Sequence, residues 1–193
     1  MTAGDPNRFC TANTNKEITM PVRDIRILES AIKMELDGRK FYLKASKTAK
    51  NVIAKKLLVS LADQELMHID RIKEISEGLK HEKDWGDFEG TISRQSKKKL
   101  SLVFRHLSKA EIRKLKADPS NIKAIEIAMK KETKSYDYYD KQSKEAGVRI
   151  AKVFYNTLKK EEERHYELLE EALTMLADSV SWFVKTEGRV MEG

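Results

Sequence analysis

Four glutamates and two histidines stand apart from the other charged residues of this chain: Glu35, Glu65, His68, Glu132, Glu162 and His165. Each interrupts an apolar helical stripe instead of joining a charged face. Glu35 lies one turn from Ala31 and Ile32 and two turns from Tyr42. Glu132 is placed in the same way among Ala128, Met129, Tyr136 and Tyr139. Glu65 and His68, three residues apart, share one face between Leu61 and Ile69, and Glu162 and His165 repeat this between Leu158 and Leu169. Burying an ionised carboxylate costs several kcal/mol even after relaxation, and carboxylates held close together repel one another. Two divalent cations would neutralise four carboxylates and leave both imidazoles neutral, as ligands must be. Binding of a metal pair is the chemistry these residue types and spacings suit.

Four long helices are needed to carry them. The first is expected from Asp24 to Ala49, with its stripe through Leu28, Ala31, Ile32, Gly38, Tyr42, Ala45 and Ala49. The second runs from about Val52 to Leu79 through Leu58, Leu61, Ala62, Ile69, Ile72 and Ile75. Little more than Lys50 and Asn51 separates the two, so they should be antiparallel neighbours. The third opens after Pro119, capped by Ser120 or Asn121, and carries Ile125, Ala128, Met129, Tyr136 and Tyr139 before stopping near Gly147. The fourth follows from about Val148 to Ala177 through Ile150, Phe154, Tyr155, Leu158, Leu169, Ala172 and Leu176. Between the second and third lies a connection over residues 80–120. It is too long for a structureless loop in a compact domain, and long enough to cross the length of a bundle. Within it, Ser108 and Glu111 read as a capping box opening a short helix through Leu115.

The two halves are related. Residues 31–80 laid on residues 128–177, an offset of 97 without a gap, are identical at 16 of 50 positions. Unrelated helical segments of this composition would agree at roughly three to five, so the chain reads as a duplicated helical hairpin. The identities pair Glu35 with Glu132, Glu65 with Glu162 and His68 with His165, as well as Tyr42 with Tyr139. A lone Glu-x-x-His on a Glu-rich helix carries no information, and Arg39 could simply pair with Glu35. Two such motifs, two single glutamates in the right helix order and one repeat relating them all are a different matter. Glu29 and Glu126 also match, but six residues from the ligand position they fall elsewhere around the helix and read as surface residues.

One Glu from each of two helices plus Glu-x-x-His from each of the other two is the donor set known from di-iron and di-manganese carboxylate bundles. In the stretches AIKMELDGRKFY with DQELMH, and AMKKETKSYDYY with KEEERH, the chain resembles the rubrerythrin branch of the ferritin-like superfamily over most of residues 25–177. The resemblance implies an all-α, ferritin-like antiparallel four-helix bundle built of two repeated hairpins with a long crossover. It implies that Glu65 and Glu162 bridge two metal ions, iron in preference to manganese. Glu35 and Glu132 would then be terminal ligands, with His68 and His165 completing one ion each. Tyr42 and Tyr139 match family tyrosines that stand behind the ligands, where their hydroxyls orient carboxylates. The implied activity is that of a non-haem di-iron oxidoreductase reducing peroxide or dioxygen, linked to oxidative stress and supplied by an external electron donor protein. Iron handling (ferroxidase or sequestration) and oxygenation of an organic molecule are the rival readings. Two departures bear on this. The cysteines of a rubredoxin domain, which rubrerythrins proper carry, are missing from this sequence. Met129 stands where they carry an extra Glu that takes part in peroxide chemistry, which leaves a more symmetric ligand set, like that of bacterioferritin.

Composition narrows the rest. Eight Gly and three Pro in 193 residues, amid much Lys, Glu, Ala and Leu, are a helical composition. A single cysteine, Cys10, excludes an internal disulfide and any cysteine-ligated metal module, and suggests a reducing, cytoplasmic setting. No apolar run reaches the ~18 residues of a membrane span. Residues 1–20 read as a disordered leader, 21–177 as the bundle and 178–193 as a tail. Trp182, Phe183 and Val184 of that tail would fold back or join a homodimer interface. Of the net charge of +7, most comes from residues 93–116, where nine Lys and Arg face the single acid Glu111. Leu100, Leu102, Val103, Phe104 and Leu107 interrupt that run. It therefore reads as a solvated face or a dock for an acidic electron-transfer protein, not as a nucleic-acid site.

Overall fold

The computed structural model describes residues 19–81, 84–92 and 118–178. The leader, the Ser108–Leu115 helix, the basic run at 93–116 and the Trp182–Val184 cluster lie outside them. Within the described residues all regular structure is helical: α1 (Thr19–Thr48), α2 (Val52–Lys80), a 3-10 turn (Trp85–Phe88) leading into the short α3 (Glu89–Ile92), α4 (Pro119–Glu145) and α5 (Arg149–Ala177). No described helix is long and apolar enough to cross a membrane.

The chain is a bundle of two hairpins. α1 packs along α2 and α4 along α5, and the hairpins meet through α1 against α4 and α2 against α5. Ion pairs at the ends set the directions. Arg23, near the start of α1, reaches Glu145 at the end of α4 (3.3 Å), so these two neighbours are antiparallel. Lys50, in the α1–α2 turn, reaches Asp118 at the start of α4 (3.3 Å). Since α2 ends at the opposite pole, where Lys80 meets Glu29 (3.2 Å), the connection to α4 traverses the bundle lengthwise. That is the ferritin-like topology.

Local chemistry sets the breaks between helices. Asn51 closes the first hairpin by accepting from the Ile53 and Ala54 amides at 2.8 and 3.2 Å, which satisfies two orphan donors of α2. Three boundaries differ from expectation. α1 starts at Thr19, five residues ahead of Asp24, because Pro21 falls in the first turn, where no N–H is needed. α4 is capped by Asp118, whose carboxylate accepts from the Ser120 amide at 2.9 Å. Ser120 and Asn121 are already inside the helix, with Pro119 at its first position. α4 ends when Ala146 turns extended (φ −61°, ψ 127°), one residue before Gly147.

The apolar stripes form two clusters. One gathers Tyr42, Leu57, Leu61, Ile125, Leu169 and Met175; the other gathers Leu28, Ile72, Ile75, Tyr139, Phe154 and Leu158. Tyr136 is only half-buried, and Lys159 stands over its ring with Nζ 5.5 Å from the centroid. The second cluster is closed by residues that the sequence pattern did not mark. Trp85 and Phe88, from the start of the crossover, are buried, and the Trp85 Nε1–H donates to Asp24 Oδ2 at 2.8 Å. Gly78 makes room for Phe88: a Cβ there would stand 2.1 Å from the ring's Cζ. Gly78→Ala should therefore lower stability by about 1–3 kcal/mol, the usual cost of overpacking, read as a lower urea midpoint at an unchanged slope.

Candidate metal centre

All six residues singled out from the sequence converge between the two apolar clusters, and none is more than 2% exposed. α1 supplies Glu35, α2 supplies Glu65 and His68, α4 supplies Glu132, and α5 supplies Glu162 and His165. They form two overlapping groups, Glu35–Glu65–His68–Glu162 and Glu65–Glu132–Glu162–His165. In each group one donor atom per residue lies within 4.8 Å of the others. Glu65 and Glu162 belong to both. The arrangement follows the sequence repeat as a pseudo-twofold, and the two imidazoles stack across its axis, 5.4 Å apart and 13° from parallel.

Both histidines present Nδ1 to the carboxylates. His68 Nδ1 is 3.3 Å from Glu65, 3.2 Å from Glu162 and 3.5 Å from Glu35; His165 Nδ1 is 3.4 Å from Glu132 and 3.9 Å from Glu65 and Glu162. The far nitrogens meet residues that sequence reasoning missed. His165 Nε2 hydrogen-bonds Gln64 Oε1 at 3.1 Å. His68 Nε2 lies 3.0 Å from Glu161 Oε2, a close ionic contact whose alignment falls short of a hydrogen bond, and Glu161 is in turn gripped by buried Arg71. The one signal available was position: Gln64 and Glu161 are equivalent in the repeat, each directly before a Glu-x-x-His glutamate. Of the two tyrosines, Tyr139 donates a short hydrogen bond to Glu35, while the buried hydroxyl of Tyr42 has no hydrogen-bond partner. Tyr155 stacks on Tyr139 with centroids 6.5 Å apart and Tyr166 is half-buried. Glu29 and Glu126 are exposed, and no ion pair joins Arg39 to Glu35 among the described residues.

The electrostatics of the metal-free cluster are those of a site short of positive charge. Burial, with the neighbouring charges of Glu35 and Glu162, holds the Glu65 carboxyl well above its ordinary range; burial and the charges of Glu35 and Glu132 do the same to Glu162. Burial pushes Glu132 up to about 8. Burial alone would depress His68, but its contacts with Glu161, Glu162, Glu35 and Glu65 outweigh that and raise it. Burial also acts to raise Glu35, yet its close contacts with Glu65 and His68 and the hydrogen bond from Tyr139 bring it down to about 2. Several donor atoms find no hydrogen-bond partner among the described residues: both oxygens of Glu132 and of Glu162, one of Glu65, and Nδ1 of both histidines. Buried polar atoms are otherwise almost always satisfied. This pattern of unsatisfied oxygen and imidazole donors fits metal ions held between the hairpins.

The Rubrerythrin family pattern matches residues 26–173, which contain all four site helices' ligand positions. The chain belongs to the Rubrerythrin family. No curated protein and no solved structure matches it. As a rubrerythrin-family bundle, the chain carries two buried Glu/His groups that could hold metal. Met129 is half-buried and packs against the first apolar cluster.

Proposed function

We propose that the protein holds two metal ions per chain, iron in preference to manganese, and acts as a non-haem di-iron oxidoreductase that reduces peroxide or dioxygen. The observation that carries this reading is the sharing of Glu65 and Glu162 by both ligand groups, since a carboxylate common to two groups suits a dinuclear centre and not two separate ions. Glu35 and His68 complete one position; Glu132 and His165 complete the other. When bound, the iron pair supplies the two electrons that cleavage of an O–O bond requires. The chain supplies dryness, carboxylates that can reposition, and the Tyr139 hydroxyl that fixes Glu35.

A pocket of about 320 Å³ between α1 and α4 reaches the carboxylate side of the site, touching Glu35, Glu65 and Glu132. Gly38 and Ser135, equivalent in the repeat, keep that seam open because neither carries a large side chain. This is the route we assign to a small oxidant. Outside the buried glutamates, Lys33, Lys131 and Lys134 outnumber Asp37 along its lining, which suits docking of an acidic electron-donor protein.

Reduction of peroxide to two waters takes two electrons and two protons, so the reduced protein without a donor should turn over once per site and stop. Stopped-flow oxidation of the anaerobic di-ferrous protein by each oxidant is the test, with peroxide expected to react faster than dioxygen. Dioxygen reacting as fast or faster would favour the iron-handling reading, for which the thioether of Met129 in place of a carboxylate is the specific observation.

A further inference from the structure

The pseudo-twofold that relates the two halves fails just behind the histidines, and it fails as a matched set. Behind His68 stand Glu161 and Arg71, both buried and paired with each other. The positions equivalent in the repeat, 97 residues away, are Gln64 and Leu168. Gln64 takes up the Nε2 of His165, and Leu168 packs against the apolar core. A charged pair behind His68 corresponds to a neutral pair of residues related to it by the repeat, while the ligands themselves are identical in type. We infer that the two metal positions are unequal, and that the one completed by His68 and Glu35 binds its ion first and more tightly because Glu161, fixed by Arg71, stands behind His68. The inference rests on the metal-binding part of the proposed function.

The physical ground is the imidazole. With Nδ1 given to a metal, Nε2 carries the proton, and a carboxylate facing that N–H stabilises the positive charge the ring takes on better than an amide oxygen does. That attraction is Coulombic and does not depend on hydrogen-bond alignment, and a full charge acts on the ring more strongly than an amide dipole. Arg71 partly cancels the charge of Glu161, but the carboxylate oxygen is the group in contact with the ring, 3.0 Å from Nε2. Loss of such an outer partner typically costs about 10- to 100-fold in metal affinity, so a difference between the positions of about tenfold or more is expected. The same pair orients the ring, because Arg71 grips the very oxygen, Glu161 Oε2, that faces His68 Nε2.

Cobalt(II) is a suitable probe, as it takes the same oxygen and imidazole donors and shifts the imidazole N–H proton resonances. Titrated into the metal-free full-length protein, it should bind in two resolved steps. A single shifted, exchangeable N–H should accompany the first, and it should be the one missing from His68→Gln. In the double variant Arg71→Leu/Glu161→Gln the surroundings of His68 receive the neutral residue types that the repeat already places at Leu168 and Gln64, which the bundle accommodates. There the two steps should merge and both N–H signals should grow together. Gln64→Glu/Leu168→Arg should instead strengthen the second step by about tenfold. Two equal steps in the unaltered protein, a first signal that belongs to His165, or unchanged steps in the double variants would each overturn the inference while leaving two-metal binding intact. Failure to bind cobalt at all would instead strike the proposed function.

Discussion

Replacing Glu162 by alanine is expected to remove both metal ions, whereas replacing Glu132 or His165 should remove or weaken only one. The difference follows from geometry. Glu132 and His165 belong to one four-residue group, but Glu162, like Glu65, belongs to both. Its loss leaves each position with three protein ligands and takes away one of the four charges that offset two divalent ions. Affinity at both positions should fall by more than about 100-fold, beyond the range seen for outer partners alone. Equilibrium dialysis against iron(II) without air, followed by metal analysis, should give about two ions for the parent, about one for His165→Ala and none for Glu162→Ala. An unchanged helical spectrum would show that the bundle persists, and persistence is expected because the apolar clusters lie on either side of the site. Normal iron uptake by Glu162→Ala would end the claim of a shared centre.

How much of this was legible beforehand can be traced residue by residue. The six site residues were visible because polar groups in phase with an apolar stripe are expensive unless something compensates them, and because the repeat placed them twice. The helix faces followed from the same periodicity, and Leu61, Ile69, Ile72, Leu158 and Leu169 are buried as their spacing requires. Gln64, Glu161 and Arg71 were not visible, since one more Glu or Arg on helices this rich in charge has no periodic signature. Their partners lie 90 or more residues away, and only the packing of α2 on α5 brings them together. Trp85 and Phe88 were missed because a crossover has no period from which to infer an inward face. The cap at Asp118 turned on a choice among three adjacent capping residues. Composition does not make that choice; Pro119 does, by taking the first helical position.

Stability of the metal-free protein should fall as pH rises from 6 to 8, while that of the metal-loaded protein should not. The sign comes from the direction of the shifts. Burial holds the Glu132 carboxyl at about 8 in the metal-free fold, against an ordinary value of 4.5, and Glu65 and Glu162 are raised well above theirs. A group raised on folding contributes stability that is fully present below its unfolded pKa and is lost as pH rises through the folded one. His68, also raised, acts in the same sense. Glu35 and Glu161, lowered to about 2, contribute stability that is lost only as pH falls toward 2, outside this window. Each proton retained by the fold but released by the unfolded chain costs about 1.4 kcal/mol per pH unit. Glu132 alone therefore accounts for about 2 kcal/mol between pH 6 and 8, or roughly 4–8 °C in melting temperature for a chain of this size. Bound cations take the place of those protons and keep both imidazoles neutral, so with saturating metal the fall should disappear and the gap between the two forms should widen steadily. Thermal melts of both forms at pH 6, 7 and 8 read it directly. Glu132→Gln supplies the control, since an amide keeps the shape without the titration: its metal-free form should lose stability less steeply than the parent over the same range. Parallel melting curves for the metal-free and loaded proteins would mean that the buried carboxyls do not hold protons in place of cations.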